Sequence, residues 1–438
     1  MLQDITIAGL LALTVGCSTP RERPSVVLIV VDTLRRDHLG CYGYDRATSE
    51  NLDRLAAESL RFTNAQSSAP WTLPSIASIL TGRDAGPLGI NRDETTLGEE
   101  LVLLPELLKA DGYRTGAVVS QTFVSERWGV NQGFDTFDDS QVQGPSAITS
   151  PGVIDRALSF VNAQTEQQPF FLFVHLFDPH FAYIEHEGHT FSGPDYTGPV
   201  NSGTPFRELN RRHVDGDLTA ADTVEMVRLY DSEISYTDAH IGRLLDGLRQ
   251  TGLYDNTLII LTADHGEGFE EHEHIGHGKT LHEELIGVPL LVRVPGRRGA
   301  VVTEPVSLLD IVPTVLAQTG SKPAALLEGE DLLEPRTDRL LFASTERLGG
   351  SRVVRLGSHK LIRDRRGREV LYDLSHDPAE QTDLSTGTSA VLKPLRAGLD
   401  EYVARFPIQA APAPTGGISP GERKRLRALG YLQEPDSP

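Results

Sequence analysis

Long apolar runs without polar alternation recur along the first three quarters of the chain, separated by segments of helical periodicity. Three of these runs lie at 25–31, 170–174 and 257–262. Their length and β-branched content are typical of strands buried on both faces. Buried strands that alternate with helices predict a mostly parallel α/β sheet. We therefore expect residues 25–320 to form one large α/β domain.

Start and stop signals predict the helices of this domain. Pro74 and Gly82 bracket a short helix, and 218–250 has the periodicity of one long helix. The segment 185–217 is rich in Gly, Pro, His and Asp, which predicts a long loop. This loop is either an inert insertion or a lid above the strand ends.

The pattern changes after residue 320. Four short strand candidates and one helix candidate follow, at 340–344, 351–356, 359–363, 370–374 and 389–406. They predict a small α+β domain with an antiparallel sheet over 321–408. The Pro- and Ala-rich stretch at the start of 409–438 is typical of a linker and tail.

Residues 1–24 predict an export leader. Their apolar run, 5–15, has the length of a signal-peptide core and is too short to span a bilayer. It ends in VGCS, which resembles a bacterial lipoprotein cleavage box with Cys17 as the lipidated residue. We expect an exported protein, periplasmic or lipid-anchored to a membrane surface. An ordinary signal peptide and a wrongly assigned start are the alternatives.

Composition limits the partners. The net charge of -20 argues against nucleic acid, whose binding requires a basic face. The two cysteines, Cys17 and Cys41, provide neither a disulfide scaffold nor a cysteine-ligated zinc site.

Polar residues stand where the predicted strands end. Asp32 follows the first strand, Asp264 and His265 follow the third, and the second stops at His175. Ligands of open α/β sheets bind beyond the carboxyl ends of the strands. Carboxylate and imidazole together can coordinate Ca²⁺, Mn²⁺ or Zn²⁺. A single strand-ending Asp is as often a helix cap, so the prediction rests on the combination.

Two further groups of residues suggest chemistry. Thr72 begins the predicted short helix, where the helix dipole favours an alkoxide and a bound anion, although it could merely cap that helix. Lys279 could hold a tetrahedral oxyanion as a point charge. We expect His272 and His274, in the same His-rich segment, to be exposed loop residues.

The order of these motifs resembles the sulfatase family of the alkaline phosphatase superfamily. The resemblance rests on Asp32, TLPS at 72–75, DPH at 178–180, DHGE at 264–267 and GHGK at 276–279. It extends from Pro24 to about Leu384. It implies an alkaline-phosphatase-like core, with a mixed, mostly parallel sheet flanked by helices, and a small C-terminal domain with an antiparallel sheet.

The resemblance also implies the roles of single residues. The ligands of one divalent metal ion would be Asp32, Thr72, Asp264 and His265. Ca²⁺ is the preferred ion, with Mn²⁺ and Zn²⁺ as alternatives. The catalytic residues would be Thr72 as nucleophile and His180, His277 and Lys279 around the ester group. A second metal held by Asp178, His180 and His277 is a further alternative, suggested by two-metal relatives.

The sequence departs from the sulfatase pattern at the nucleophile. Active sulfatases resemble Cys/Ser-x-Pro-x-Arg, in which the Cys or Ser becomes formylglycine. This chain has Thr72 at that position and Ile76 at the Arg position, and Thr33 replaces a second Asp of calcium-binding members. No formylglycine is expected. Phosphodiesterases of the superfamily use a metal-activated Thr instead.

Two functions remain open. One is metal-dependent hydrolysis, through Thr72, of a sulfate or phosphate ester or diester of a small molecule, glycan or lipid. The other is a catalytically weak homologue that binds an anionic sugar or lipid headgroup. Retention of the metal and charged positions favours the enzyme, and Ile76 favours the alternative.

Overall fold

The computed structural model describes residues 23–405, except 94, 145–146, 192, 194, 324–326, 348–349 and 388–389. The predicted tail and, except for residues 23 and 24, the predicted leader with Cys17 lie outside the described residues. Within the described part, no helix combines the length and the apolar character needed to cross a bilayer.

Strands and helices alternate over most of the described chain. The strands are β1 (Ser25–Val31), β2 (Leu60–Gln66), β3 (Arg114–Val119), β4 (Thr136–Asp138), β5 (Phe170–Leu176), β6 (Thr257–Ala263), β7 (Gly268–Phe269), β8 (Ile275–Gly276), β9 (Gly287–Arg293), β10 (Ala300–Val302), β11 (Val306–Ser307), β12 (Leu340–Thr345), β13 (Ser351–Leu356), β14 (His359–Asp364) and β15 (Glu369–Asp373). The α-helices are α1 (Glu50–Ala57), α2 (Thr72–Thr81), α3 (Leu104–Ala110), α4 (Ser150–Asn162), α5 (Phe206–Asp215), α6 (Ala220–Gln250), α7 (Glu283–Ile286), α8 (Ile311–Thr319) and α9 (Leu392–Arg405).

The central sheet has the strand order β10-β2-β9-β6-β1-β5-β3-β4, with β11 paired to β2. All of its pairings are parallel except those of β9, which runs antiparallel to β2 and β6. Every residue of β1, β5 and β6 is buried. The apolar runs predicted these three strands because no face of them needs polar residues. Strand β5 continues to Leu176, so His175 lies inside the strand and does not follow it, contrary to the prediction.

Helix α6 supports the loop that follows β1. The Tyr230 hydroxyl donates to the Thr33 carbonyl at 2.6 Å and accepts from the Arg35 amide at 2.8 Å. The Asp238 carboxylate accepts from the amides of Asn51 and Leu52 at the start of α1. One rigid helix thus fixes both segments that follow β1 in the chain.

The segment 185–217 differs from its prediction as a loop, because it contains α5. This helix begins after Pro205 and ends before Gly216, which has the left-handed conformation common just after helix ends. Few apolar residues mark it in the sequence, and only Leu209 is fully buried. Phe206 stacks on Phe181 with ring centroids 4.1 Å apart, so α5 is packed onto the core.

The C-terminal sheet has the order β12-β13-β14-β15 and is antiparallel throughout. Alternate residues of its strands face opposite sides, as the pleat requires. Val354 packs with Leu395 of α9, whereas its neighbour Val353 packs with Leu285 of α7. The sheet is therefore buried between its own helix and the larger part of the chain. The domain boundary at residue 320 stays a prediction.

We predict that Tyr230→Phe lowers the free energy of unfolding by about 1–3 kcal/mol, because it leaves two buried backbone groups without their partner. Chemical denaturation measures this loss. Tyr236→Phe, at a partly buried position of the same helix, is the matched control and should change stability by less than about 0.5 kcal/mol. Equal effects of the two substitutions would show that the hydrogen bonds of Tyr230 to Thr33 and Arg35 do not stabilise the fold.

Candidate active site

Two carboxylates and one imidazole converge at the carboxyl ends of β1 and β6. The parallel register pairs Val31 with Ala263, which sets the following residues, Asp32 and Asp264, side by side. His265 Nε2 lies 3.4 Å from Asp32 Oδ1 and 3.5 Å from Asp264 Oδ2. All three side chains are fully buried.

Thr72 joins this group from the first turn of α2. Its Oγ1 lies 3.3 Å from His265 Nε2 and accepts a hydrogen bond from Gln121 Nε2 at 3.2 Å. The Ser75 hydroxyl donates to the Asp264 carbonyl at 2.7 Å, which fixes the start of α2 to the end of β6. The helix N-terminus and the strand ends therefore meet at the Thr72 hydroxyl.

The orientation of His265 exposes a lone pair to the carboxylates. His265 Nδ1 donates to the Gly266 carbonyl at 2.9 Å, and burial lowers the pKa of His265, so the ring is neutral. Its unprotonated Nε2 then faces acceptor oxygens of Asp32, Asp264 and Thr72. This is the orientation of a metal-ligating histidine whose other nitrogen is held by a backbone carbonyl.

The donor atoms fit a divalent cation. The ligand atoms of Asp32, Asp264 and His265 lie within 4.8 Å of one another. Both Asp32 oxygens and Asp264 Oδ2 are buried and make no hydrogen bond to the described residues. Burial, followed by the charges of Asp264 and Glu267, raises the pKa of Asp32 well above its ordinary value. A cation would offset this cost of placing like charges together in the interior.

Two more histidines adjoin this group. The His277 ring centroid lies 4.5 Å from that of His265 and 4.9 Å from that of His180. Glu267 Oε1 accepts from His277 Nδ1 at 2.9 Å, which orients the ring. Burial lowers the pKa of His180 to about 3 and that of His277 well below its usual range. Both rings are therefore neutral at physiological pH.

Lys279 connects the site to α5. Its ammonium donates to Asn210 Oδ1 at 3.5 Å. Burial lowers the pKa of Lys279, and the nearby charge of Glu267 opposes this shift. Lys279 thus interacts electrostatically with Glu267 and contacts α5, the helix that the sequence did not predict.

Three residues near the site were missed in the sequence. Gln121 contacts Thr72, and Glu267 contacts His277, as described above. The guanidinium of Arg347 lies 4.0 Å from the centroid of the Trp71 ring, immediately before Thr72, and forms an ion pair with Asp93. Glu267 belongs to the DHGE motif, which offered a signal. Arg347 follows β12 in the C-terminal sheet, and only the tertiary structure brings it here.

One alternative is not supported by the structure, and one expectation was wrong. Asp178 is not free to hold a second metal, because its carboxylate accepts hydrogen bonds from the amides and hydroxyls of Thr149 and Ser150 at the start of α4. His272 and His274, which we expected to be exposed, are not. His274 is 5% exposed, and His272 is partly buried with its Nδ1 2.9 Å from Glu284 Oε1. Sequence patterns do not report how a loop folds back on the core.

Comparison with known proteins gives consistent results. The sequence profile of the sulfatase family matches residues 24–321. An ulvan-active sulfatase of Formosa agariphila is 27% identical over 83% of this chain and 77% of its own length. Arylsulfatase A of Homo sapiens is 28% identical over 92% of this chain and 93% of its own length.

Solved structures share the fold. A protein in complex with its substrate D-glucosamine-2-N,6-O-disulfate is similar at a TM-score of 0.75 and 21% identity, covering 89% of this chain and 99% of that chain. The phosphonate monoester hydrolase of Agrobacterium radiobacter is similar at a TM-score of 0.70 and 20% identity, covering 88% and 95%. The predicted fold class, with its mostly parallel sheet and C-terminal antiparallel sheet, is confirmed.

The family profile and these relatives define a hydrolase of the sulfatase type. The chain belongs to the sulfatase family, because the family profile covers most of its length.

The buried His175 of β5 predicts a pH dependence of stability. Burial lowers the pKa of His175 to about 3, whereas an unfolded histidine titrates near 6.5. The stabilising contribution of the neutral ring is complete above pH 6.5 and is lost as the pH falls towards 3. At pH 5 the loss is about 2 kcal/mol, from about 1.4 kcal/mol per pH unit.

We therefore predict that His175→Leu reduces the difference in unfolding free energy between pH 8 and pH 5 by about 2 kcal/mol. Denaturant titrations at both values measure it, and the comparison at pH 8 subtracts the change in packing. An unaltered pH dependence in the variant would show that His175 does not titrate on unfolding.

Proposed function

We propose that this chain hydrolyses sulfate or phosphate esters, including diesters, with Thr72 as the nucleophile and a divalent cation held by Asp32, Thr72, Asp264 and His265. The observation that carries the proposal is the position of Thr72 Oγ1, 3.3 Å from His265 Nε2 at a helix N-terminus. There the hydroxyl adjoins a buried, negatively charged donor set, and the helix dipole favours the alkoxide.

A bound cation supplies the positive charge that lowers the pKa of the hydroxyl and steadies the developing negative charge. Thr72 loses its proton to solvent as its oxygen forms a bond to phosphorus or sulfur, and the bond to the leaving oxygen breaks. Lys279 gives a proton to that oxygen, for which its lowered pKa suits it. His180 and His277 hold the non-bridging oxygens. Water then gives a proton to the neutral Lys279 and attacks the same phosphorus or sulfur atom. The bond to the Thr72 oxygen breaks, and that oxygen takes up a proton from solvent.

The chemistry of Thr72 favours a phosphate ester over a sulfate ester. Threonine has one hydroxyl, so its covalent intermediate is released only by attack of water at phosphorus or sulfur.

Arg347 supplies a cation beside Trp71, near the nucleophile, whereas the arginine position of the sulfatase pattern holds the buried Ile76. A positioned cation of this kind contributes a few kcal/mol to transition-state stabilisation.

The relatives bear on the substrate class, and the donor atoms bear on the metal. Two similar proteins, an ulvan-active sulfatase and a protein in complex with a glucosamine disulfate substrate, support an anionic glycan ester as the substrate. The sequence favoured Ca²⁺, but His265 offers a nitrogen ligand, whereas Ca²⁺ takes oxygen ligands. This donor set supports Mn²⁺ or Zn²⁺.

We predict that Thr72→Ala lowers kcat by at least about 10³-fold on the preferred ester, whereas Thr72→Ser retains part of the activity. Protein loaded with Mn²⁺, Zn²⁺ or Ca²⁺ is assayed on aryl sulfate, aryl phosphate and bis-aryl phosphate. Equal rates for wild type and Thr72→Ala on every substrate would refute the nucleophile. Tight binding of these esters without turnover would favour the weak, headgroup-binding homologue.

We predict that Arg347→Ala lowers kcat/KM by about 10²-fold and that Arg347→Lys restores part of it, because a cation remains. The steady-state rate of the Mn²⁺-loaded enzyme measures the effect. Arg114→Ala is the matched control: Arg114 also lies over an aromatic ring, that of Phe160, but at the amino end of β3, away from the strand ends that carry the site. A similar loss in both variants would show that Arg347 acts through stability alone.

A further inference from the structure

A second group of metal-ligating side chains lies outside the site described above. It comprises His272 in the loop between β7 and β8, His282, and Glu284 of α7. One ligand atom from each lies within 4.8 Å of the others. The rings of His272 and His282 are stacked with centroids 3.6 Å apart, and Glu284 is 8% exposed.

When the His272 ring is neutral, one of its two nitrogens faces an acceptor oxygen without a hydrogen to donate. Its Nδ1 lies 2.9 Å from Glu284 Oε1, and its Nε2 lies 3.1 Å from the Glu380 carbonyl. Both partners accept hydrogen bonds, but a neutral imidazole carries a single N–H. Either the ring is protonated, or Nε2 carries the hydrogen and Nδ1 directs its lone pair at a cation shared with Glu284.

The neighbouring histidines favour the cation. His282 Nδ1 is buried and makes no hydrogen bond to the described residues. The same holds for both ring nitrogens of His274, which is 5% exposed and within electrostatic reach of Glu284. Buried imidazole nitrogens without partners beside a carboxylate are costly unless a metal engages them.

We propose that His272, His282 and Glu284 bind one structural transition-metal ion, separate from the cation of the active site. Two imidazoles and one carboxylate suit Zn²⁺, whereas Mg²⁺ and Ca²⁺ prefer oxygen ligands. The site lies against the C-terminal sheet, since the His282 ring is 5.9 Å from that of Tyr372. The ion would therefore tie the β7–β8 loop to that sheet.

The test counts zinc ions per chain. Full-length protein is stripped with a chelator, loaded with excess Zn²⁺, desalted and analysed by inductively coupled plasma mass spectrometry. We expect two equivalents in the wild type, one in Asp264→Asn and one in Glu284→Gln. Glu284→Gln keeps the size of the side chain, and circular dichroism verifies its fold. Glu273→Gln, exposed on the same loop, is the matched control and should retain two.

Cobalt provides a spectroscopic measurement of the same site. In the Asp264→Asn chain, bound Co²⁺ should give the visible absorption bands of a tetrahedral nitrogen- and oxygen-ligated ion, and adding Glu284→Gln should abolish them. A zinc content of Glu284→Gln equal to that of the wild type would overturn the proposal, as would the absence of cobalt bands in Asp264→Asn. None of these readouts depends on ester hydrolysis.

Discussion

The site depends on two aspartates buried side by side at the ends of adjacent parallel strands. The register of β1 and β6 places Asp32 and Asp264 side by side, and neither is exposed to solvent. Like charges in an apolar interior are costly unless a cation or a proton offsets them. The neutral His265 adds a lone pair directed at the same place. This arrangement makes cation binding the physical basis of the proposed function.

Hydrogen bonds and close packing from the surrounding structure hold this arrangement in place. Tyr230 of α6 holds the loop after Asp32, and Ser75 fixes α2 to the end of β6. Gly266 is required in the DHGE motif, since a Cβ there would lie 2.0 Å from the Glu284 carbonyl oxygen. The C-terminal sheet contributes Arg347 next to the nucleophile. The site is therefore assembled from both parts of the chain, and the sheet that carries Arg347 also adjoins the proposed zinc site.

The sequence predicts the parts of this molecule that follow from local pattern. Continuous apolar runs predict β1, β5 and β6, and the residues after two of them, together with Thr72, are the side chains that converge. Helix α5 has too few apolar residues to be recognised. Arg347 is close to Trp71 only because distant segments pack together. His272 and His274 resemble exposed loop residues in sequence, since burial of a loop depends on what covers it. The roles of the converging residues stay predictions.

The most direct test of the account is the identity of the covalent intermediate. Mn²⁺-loaded enzyme is quenched with acid during turnover of an aryl phosphate, digested with protease and analysed by tandem mass spectrometry. We expect a single phosphoryl group on Thr72, in the peptide that begins α2, and none when the metal is removed. A phosphoryl group on another residue, or turnover without any covalent intermediate under these conditions, would contradict it.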